Sequence, residues 1–211
     1  MQKKIYLIIA VVFISCATYL GNSDKLINYV DPFIGSGGHG HVFVGANVPF
    51  GGVQVGPTNF NKGWDWSSSY HHTDSIVKGF CHINVSGTGM SDLGELTIMP
   101  ATGKLMTGAG TQNNHMAGYS SLYYKDKEHA SVGYYKVHLE RYDIDVELTA
   151  TERVGLHKYR FPKSDQSRII IDLGEGSADR PTETYLKKIN DTLFQGHRFS
   201  SGWAKDQREY F

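Results

Sequence analysis

Apolar and polar residues alternate along the second half of the chain with the period of two that is typical of β-strands. In the segment 144–150 every second residue is apolar, which predicts a strand with one buried face. The segments 134–139 and 156–161 predict two further strands by their alternating or β-branched and aromatic composition. The continuous β-branched run in the segment 168–173 predicts a strand that is covered on both faces.

Turn residues separate these segments at short intervals. Asn190-Asp191 lies between the segments 186–189 and 192–195, which predicts a hairpin. A further strand is expected at 26–30, and another begins at 203–211. No stretch of ten or more residues carries an apolar stripe of period 3.6. The pattern therefore predicts an all-β fold, specifically a β-sandwich.

The amino-acid composition excludes two classes of protein. The 211 residues include 21 Lys and Arg against 21 Asp and Glu, and this zero net charge argues against nucleic acid as a partner. With 40% hydrophobic and 12% aromatic residues, the chain can build a core and is not a disordered tail.

The N-terminus is typical of an export leader. Lys3-Lys4 is followed by an apolar run at 5–14 that is too short to span a bilayer. Small residues at Ser15 and Ala17 suit an ordinary signal peptidase, whereas Ile14-Ser15-Cys16 resembles a lipobox and would place a lipid anchor on Cys16. We therefore predict a leader at residues 1–17, a sandwich domain at 22–211, and a periplasmic protein or an outer-membrane lipoprotein.

The cysteine count excludes some kinds of site. Once the leader is removed, Cys81 has no cysteine partner. The mature chain can then form neither an internal disulfide nor a zinc site built on cysteines.

Residues that could carry chemistry concentrate between positions 39 and 82, which hold five of the ten histidines together with tryptophans, other aromatic residues and aspartates. Aromatic faces stack on sugar C–H surfaces while Asp and His bond hydroxyls, so this mixture favours a neutral polyol ligand. Core packing is the competing interpretation of the aromatic residues. A transition-metal site at His39, His41 and His71-His72 is less favoured than histidines bonded within loops.

Several short motifs follow one another in a fixed order along the chain. They are Tyr29-Val30-Asp31-Pro32-Phe33-Ile34-Gly35, Gly37-Gly38-His39-Gly40-His41, Pro49-Phe50-Gly51, Gly63-Trp64-Asp65, Gly79-Phe80-Cys81-His82, Ser86-Gly87-Thr88-Gly89, Glu147-Leu148-Thr149-Ala150-Thr151 and Gly202-Trp203-Ala204. Each motif alone is weak. Together, over residues 26–211, they resemble the N-terminal domain of glycoside hydrolase family 92, the calcium-dependent exo-acting α-mannosidases.

The resemblance implies a β-sandwich that packs on a C-terminal (α/α)6 barrel. It also implies hydrolysis of mannose-containing glycans with inversion, by a glutamic acid and an aspartate aided by calcium. In the family, both carboxylates and most calcium ligands lie in the barrel, so no catalytic residue and no metal ligand is nominated here. Trp64 as a stacking face and Asp65 as a hydroxyl acceptor are the main candidates for substrate binding, with His39 and His71 as weaker ones. Loop architecture is the alternative role for all four residues.

The apolar ending at Tyr210-Phe211 leads us to expect a truncated chain. The leading hypothesis is a fragment of an α-mannosidase, of the α-1,2 type, that contributes contacts at the rim of the substrate pocket and does not hydrolyse glycans alone. A stand-alone carbohydrate-binding sandwich is the second hypothesis. A degenerate gene product, which would expose apolar surface and aggregate, is the third.

Overall fold

The computed structural model describes residues 26–177 and 179–211. The leader predicted at 1–17 lies outside these residues. Within the described part of the chain, no helix has the length and apolar character needed to cross a membrane. The described residues from Pro32 to Phe211 form one compact unit.

The first described segment differs from its prediction. Residues 26–30 were expected to form a strand, but Ile27–Tyr29 is a single 3-10 turn. The turn closes when the backbone N–H of Val30 donates to the carbonyl of Ile27 at 3.2 Å. Apolar composition alone suggested a strand here, and that prediction is wrong.

Strands account for the regular structure of the described residues, and the helical segments in the same range are 3-10 turns of three residues. This confirms the all-β prediction. The strands are β1 (Gly56–Thr58), β2 (Ile76–Val77), β3 (Gly79–Cys81), β4 (Thr97–Ala101), β5 (Ser121–Leu122), β6 (Glu128–Ser131), β7 (Tyr134–Leu139), β8 (Ile144–Ala150), β9 (Gly155–Arg160), β10 (Arg168–Asp172), β11 (Arg180–Lys188), β12 (Phe194–Ser201) and β13 (Gln207–Tyr210).

The strands form antiparallel sheets. One four-stranded sheet has the order β1-β3-β4-β10, and a second, β6-β7-β8-β9, is a meander of neighbours in sequence. The strands β11, β12 and β13 form a three-stranded sheet, and β2 pairs with β5. The chain therefore changes sheet before β2, β3, β5, β6, β10 and β11, while the strands within β6–β9 and within β11–β13 follow one another as neighbours.

The alternation at 144–150 places one face of β8 in the core. Ile144, Val146 and Leu148 are buried there, together with alternate residues of β7. The same apolar cluster includes Phe80 of β3 and Met99 of β4. Both four-stranded sheets thus contribute to one core, as the period-two pattern predicted.

The structure confirms one of two detailed strand predictions and contradicts the other. The hairpin around Asn190-Asp191 is confirmed, and its turn closes where Ile189 N–H donates to the Leu193 carbonyl at 2.9 Å. The prediction that 168–173 is covered on both faces is wrong, because Ile169 is 55% exposed while Ile170 packs on the core. Successive side chains of a strand point to opposite faces, and the face that carries Ile170 is the one that packs on the core.

The sheet β11-β12-β13 is attached differently. None of the described residues of the apolar core cluster comes from these three strands. Instead, the fully buried guanidinium of Arg198 in β12 places Nη1 2.8 Å from both Glu95 Oε1 and Asp179 Oδ2. In β13, Gln207 Nε2 donates to Asp92 Oδ2 at 2.8 Å. Polar contacts therefore hold this sheet against the rest of the chain.

Cys81 is a free and buried thiol, as the cysteine count predicted. The hydroxyl of Thr58 donates to its Sγ at 2.9 Å. Burial raises the pKa of the Cys81 thiol to about 11, so the thiol stays protonated and unreactive at neutral pH.

Candidate functional site

A tight glycine loop at 35–41 positions two of the histidines. The carbonyl of Gly35 accepts a hydrogen bond from Val42 N–H at 3.1 Å, which folds the loop back on itself. A Cβ on Gly40 would collide with that same carbonyl, so only glycine fits there. This close approach brings His39 and His41 against the next loop, at 63–67.

The second loop presents Trp64 and Asp65. Trp64–Trp66 is a 3-10 turn that begins after Gly63, whose backbone N–H donates to Asn61 Oδ1 at 2.8 Å. Gly63 has a φ of 117°, a conformation that side-chain-bearing residues avoid. The Gly-Trp-Asp motif is therefore a turn that projects adjacent aromatic and acidic side chains.

His39 and Asp65 form the central polar pair of the site. His39 Nδ1 lies 2.5 Å from Asp65 Oδ1, and because a carboxylate can only accept, His39 donates. This hydrogen bond is the main reason that the pKa of Asp65 is lowered, with smaller contributions from the charges of His39, His71 and His41. The Asp65 side chain is 30% exposed, so a charged acceptor faces solvent at neutral pH.

Trp64 provides an apolar surface beside this carboxylate. Its side chain is 56% exposed, and its ring centroid lies 4.2 Å from that of His41 in a T-shaped contact and 5.1 Å from that of His39. The two histidines thus pack against the indole and restrict its orientation. An exposed indole next to a fixed carboxylate suits the apolar and hydroxyl-bearing surfaces of a sugar.

His41 belongs to the site although it was not nominated from the sequence. It is buried, with Nε2 3.7 Å from Asp65 Oδ1, and Nε2 has no hydrogen-bond partner among the described residues. Its backbone carbonyl accepts from Gly87 N–H at 2.7 Å. The spacing His39-Gly40-His41 was the available signal, because a tight turn at Gly40 directs both rings to one neighbour.

His71 lies behind the exposed pair. It is buried and stacks on Trp66, with centroids 4.3 Å apart, and its Nδ1 lies 2.8 Å from Thr73 Oγ1. Trp66 is in turn fixed by the hydrogen bond from its Nε1 to Asp74 Oδ2 at 2.9 Å. The structure therefore places Trp64, Asp65 and His39 together at the surface, and His71 in the supporting layer beneath them.

Metal-binding side chains are not clustered in the described part of the chain. Across 26–177 and 179–211, no group of three or more His, Cys, Asp or Glu side chains is arranged to hold a metal ion. These residues therefore offer no set of three such side-chain ligands for the calcium ion that the resemblance implies. They do not fit a transition-metal site at His39, His41, His71 and His72 either.

Comparison with known protein families identifies the chain. Residues 29–211 match the model of the glycosyl hydrolase family 92 N-terminal domain. The chain belongs to this family. The match covers the glycine loop at 35–41 as well as Trp64, Asp65 and the C-terminal sheet.

Solved structures of family 92 enzymes support the assignment. The chain is similar to a family 92 α-mannosidase from Bacteroides thetaiotaomicron solved in complex with mannoimidazole, with 36% identity and a TM-score of 0.86. That alignment covers 88% of this chain and 24% of the mannosidase. The fold is also similar to that of a family 92 inverting mannosidase from the same species, with 22% identity, a TM-score of 0.67, and coverage of 87% and 24%.

A fungal relative extends the comparison. An uncharacterized secreted glycosidase from Arthroderma benhamiae is 26% identical over 165 residues, which are 70% of this chain and 20% of that protein. The chain thus spans about a quarter or less of the length of the relatives that it matches.

Proposed function

We propose that this chain is the N-terminal domain of an inverting exo-α-mannosidase of the α-1,2 type, and that it contributes contacts at the rim of the substrate pocket. The observation that carries the proposal is the exposed Trp64 indole beside the Asp65 carboxylate, which His39 fixes at 2.5 Å. The 36% identity to an α-mannosidase supports the choice of mannose as the sugar.

Each proposed residue has a distinct role in binding. The Trp64 indole would stack on the C–H face of a mannose ring, and Asp65 would accept a hydrogen bond from a sugar hydroxyl. His39 orients that carboxylate and keeps it charged. His71 acts one layer deeper, where its stacking on Trp66 supports the turn that carries the exposed pair.

Hydrolysis of the glycosidic bond would be carried out by a second domain that packs against this one. Inversion needs an acid and a base whose carboxyl groups stand roughly 6.5–9.5 Å apart to admit water. We place that pair, together with the calcium ion, in an (α/α)6 barrel that would complete the pocket. These 211 residues would then bind mannosides without hydrolysing them, in a protein exported to the periplasm or anchored through Cys16.

The test is a calorimetric titration of the chain with methyl α-mannoside, with and without calcium, beside an assay for released mannose. Trp64→Ala should weaken binding about tenfold, and Asp65→Asn should weaken it as well. Tyr124→Ala, at an exposed aromatic residue remote in sequence from both loops, is the control and should leave affinity unchanged. Release of mannose would overturn the assignment of catalysis elsewhere, and binding that ignores Trp64 would overturn the rim contact.

A stand-alone carbohydrate-binding module is the second candidate. It is favoured by the exposure of both Trp64 and Asp65 on this chain. Adding a separately produced family 92 barrel to the chain distinguishes the two candidate functions. Restored mannose release would support the mannosidase domain, and binding that stays independent of the barrel would support the module.

A further inference from the structure

Three acidic side chains meet where the β11-β12-β13 sheet contacts the segment that precedes β4. Glu95 comes from that segment, Asp179 from the residues before β11, and Glu209 from β13. All three interact with the guanidinium of Arg198 in β12, which is fully buried. Three carboxylates against one guanidinium would leave two uncompensated negative charges, and burying an unpaired charge is strongly unfavourable.

A hydrogen bond between two of these carboxyl groups relieves the excess charge. Glu95 and Glu209 are hydrogen-bonded to each other. A carboxylate can only accept, so this bond exists only when one of the two groups carries a proton. Glu95 Oε1 already accepts from Ser200 Oγ at 2.7 Å and lies 2.8 Å from Arg198 Nη1. Glu209 Oε2 is buried and receives no hydrogen bond from a donor group of the described residues, so the proton belongs on Glu209.

The electrostatic surroundings favour the same assignment. The pKa of Glu209 is raised from 4.5 to about 8, mainly by burial, and the hydrogen bond with Glu95 and the charges of Glu95 and Asp179 add to the rise while Arg198 opposes it. Burial also raises the pKa of Glu95. On the side of β3, the Cys81 thiol senses the charge of Glu209, but burial raises its own pKa to about 11 and keeps it neutral.

The segment that carries Glu95 has a strained backbone. Leu93 has a φ of 60° and Leu96 a φ of 51°, and residues with a side chain rarely adopt such left-handed conformations. They persist only where surrounding contacts enforce them. The contacts of Glu95 with Arg198 and Ser200 are of this kind, because they tie the segment to β12. Loss of the cluster would therefore release both the sheet and the strained segment.

We propose that Glu95 and Glu209 share one proton at neutral pH, and that this proton makes the attachment of the β11-β12-β13 sheet sensitive to pH. When the proton leaves to solvent as the pH rises, two adjacent buried carboxylates repel each other. The sheet then detaches from the segment before β4 more often. This behaviour involves no sugar and does not depend on the function proposed above.

The raised pKa sets the direction of the effect. A carboxyl group whose pKa is higher in the folded state stabilises that state fully below its unfolded pKa, here 4.5, and loses the contribution as the pH rises through its folded pKa of about 8. Opening of the sheet should therefore become about tenfold or more favourable between pH 6.5 and pH 8.5.

The shared proton is tested by NMR on the full chain, in which the carboxyl carbon signals of the glutamates are followed from pH 4 to 10. We expect one glutamate signal with a midpoint above pH 7, and Glu209→Gln should remove it. Glu152→Gln, at an exposed glutamate, is the matched control and should keep it. If every glutamate of the unaltered chain titrates below pH 6, the proposal is wrong, whether or not Glu209→Gln folds.

Hydrogen exchange measures the attachment of the sheet. After correction for the intrinsic effect of pH, the protection of β12 backbone amides should fall about tenfold or more between pH 6.5 and pH 8.5. In Glu209→Gln the side-chain amide donates to Glu95 without titrating, so protection should be the same at both pH values. Glu152→Gln should behave as the unaltered chain does. Protection that ignores pH in the unaltered chain, or falls equally in Glu209→Gln, overturns the proposal even if a glutamate titrates above pH 7.

Discussion

The imidazole rings of His82 and His157 meet through their Nε2 atoms, which lie 3.0 Å apart. His82 Nδ1 lies 3.1 Å from the Leu96 carbonyl, which can only accept, so that nitrogen carries a proton. In neutral rings, His82 Nε2 must then accept from His157 Nε2–H. His157 Nδ1 in turn accepts from the Tyr159 hydroxyl at 2.7 Å. The geometry therefore fixes both tautomers.

The buried pair His82 and His157 should make the folded chain less stable in acid. Burial lowers the pKa of both rings, and for His157, where His82 adds a further contribution, it lowers the pKa from 6.5 to about 3. A histidine whose pKa is lower in the folded state stabilises the protein fully above pH 6.5 and loses that contribution as the pH falls toward 3. We expect a loss on the order of 3 kcal/mol by pH 4.

The measurement is urea denaturation of the chain between pH 7.5 and 4, compared with His157→Gln. Glutamine can donate to His82 without titrating, so the variant should show a shallower pH dependence. The matched control is His129→Gln, at an exposed histidine, which should keep the steep dependence of the original chain. Equal slopes for the chain and both variants would contradict the prediction.

His39→Ala should raise the pKa of Asp65 toward its ordinary value. The reason is that the hydrogen bond from His39 is the largest cause of the lowered pKa. The carboxyl carbon signals of the aspartates, followed by NMR from pH 2 to 6, measure the change. Asp145, which is bonded to His138 at 2.9 Å, is the internal reference and should titrate identically in both proteins.

Gly89→Ala should disturb Trp64 without unfolding the chain. The new Cβ would lie 2.5 Å from Trp64 Nε1, so the indole must turn away from the two histidine rings that pack against it. We expect methyl α-mannoside affinity to fall about fivefold, or about 1 kcal/mol, with little change in the denaturation midpoint. Gly108→Ala is the control, because an added Cβ there meets no atom within 4 Å. Unchanged affinity in Gly89→Ala would show that the Trp64 orientation does not matter.

Arg198→Met should destabilise the chain by roughly 3–5 kcal/mol, because it leaves buried carboxylates unpaired. Glu95 and Asp179 each lie 2.8 Å from Arg198 Nη1, and all three side chains are at most 1% exposed. Chemical denaturation measures the loss. In Arg208→Met the exposed pair with Asp206 is lost, and the expected loss of stability is much smaller because solvent screens that pair. Similar costs for both variants would refute the role given to the buried cluster.

The strands that the sequence predicted best are those in which pattern and burial agree. The segments 134–139 and 144–150 match β7 and β8 residue for residue, because alternating side chains directly select the buried face. At 26–30 apolar composition carried no such alternation, and a 3-10 turn formed instead. The exposure of Ile169 depends on what packs against its face of β10, and such packing is set by contacts between residues distant in sequence.

Contacts between residues distant in sequence also limited what could be predicted of the candidate site. The motif Gly63-Trp64-Asp65 and the histidines of the glycine loop could be nominated locally, and the structure brings His39 to Asp65. It also places His71 in a buried layer, which no local pattern distinguishes from a surface position. The support that Asp92 gives to Trp203 spans 111 positions and could not be read from either segment alone.

The polar attachment of the β11-β12-β13 sheet makes it the part of the protein that we expect to unfold locally first. Its strands contribute nothing to the described apolar core and are held by charged and polar contacts centred on Arg198. Such a sheet can detach as a local unit while the two four-stranded sheets stay folded. Backbone amides of β12 should therefore exchange with deuterium sooner than those of β8. Because the exposed Trp203 lies between β12 and β13, each opening would also separate its backbone from Asp92.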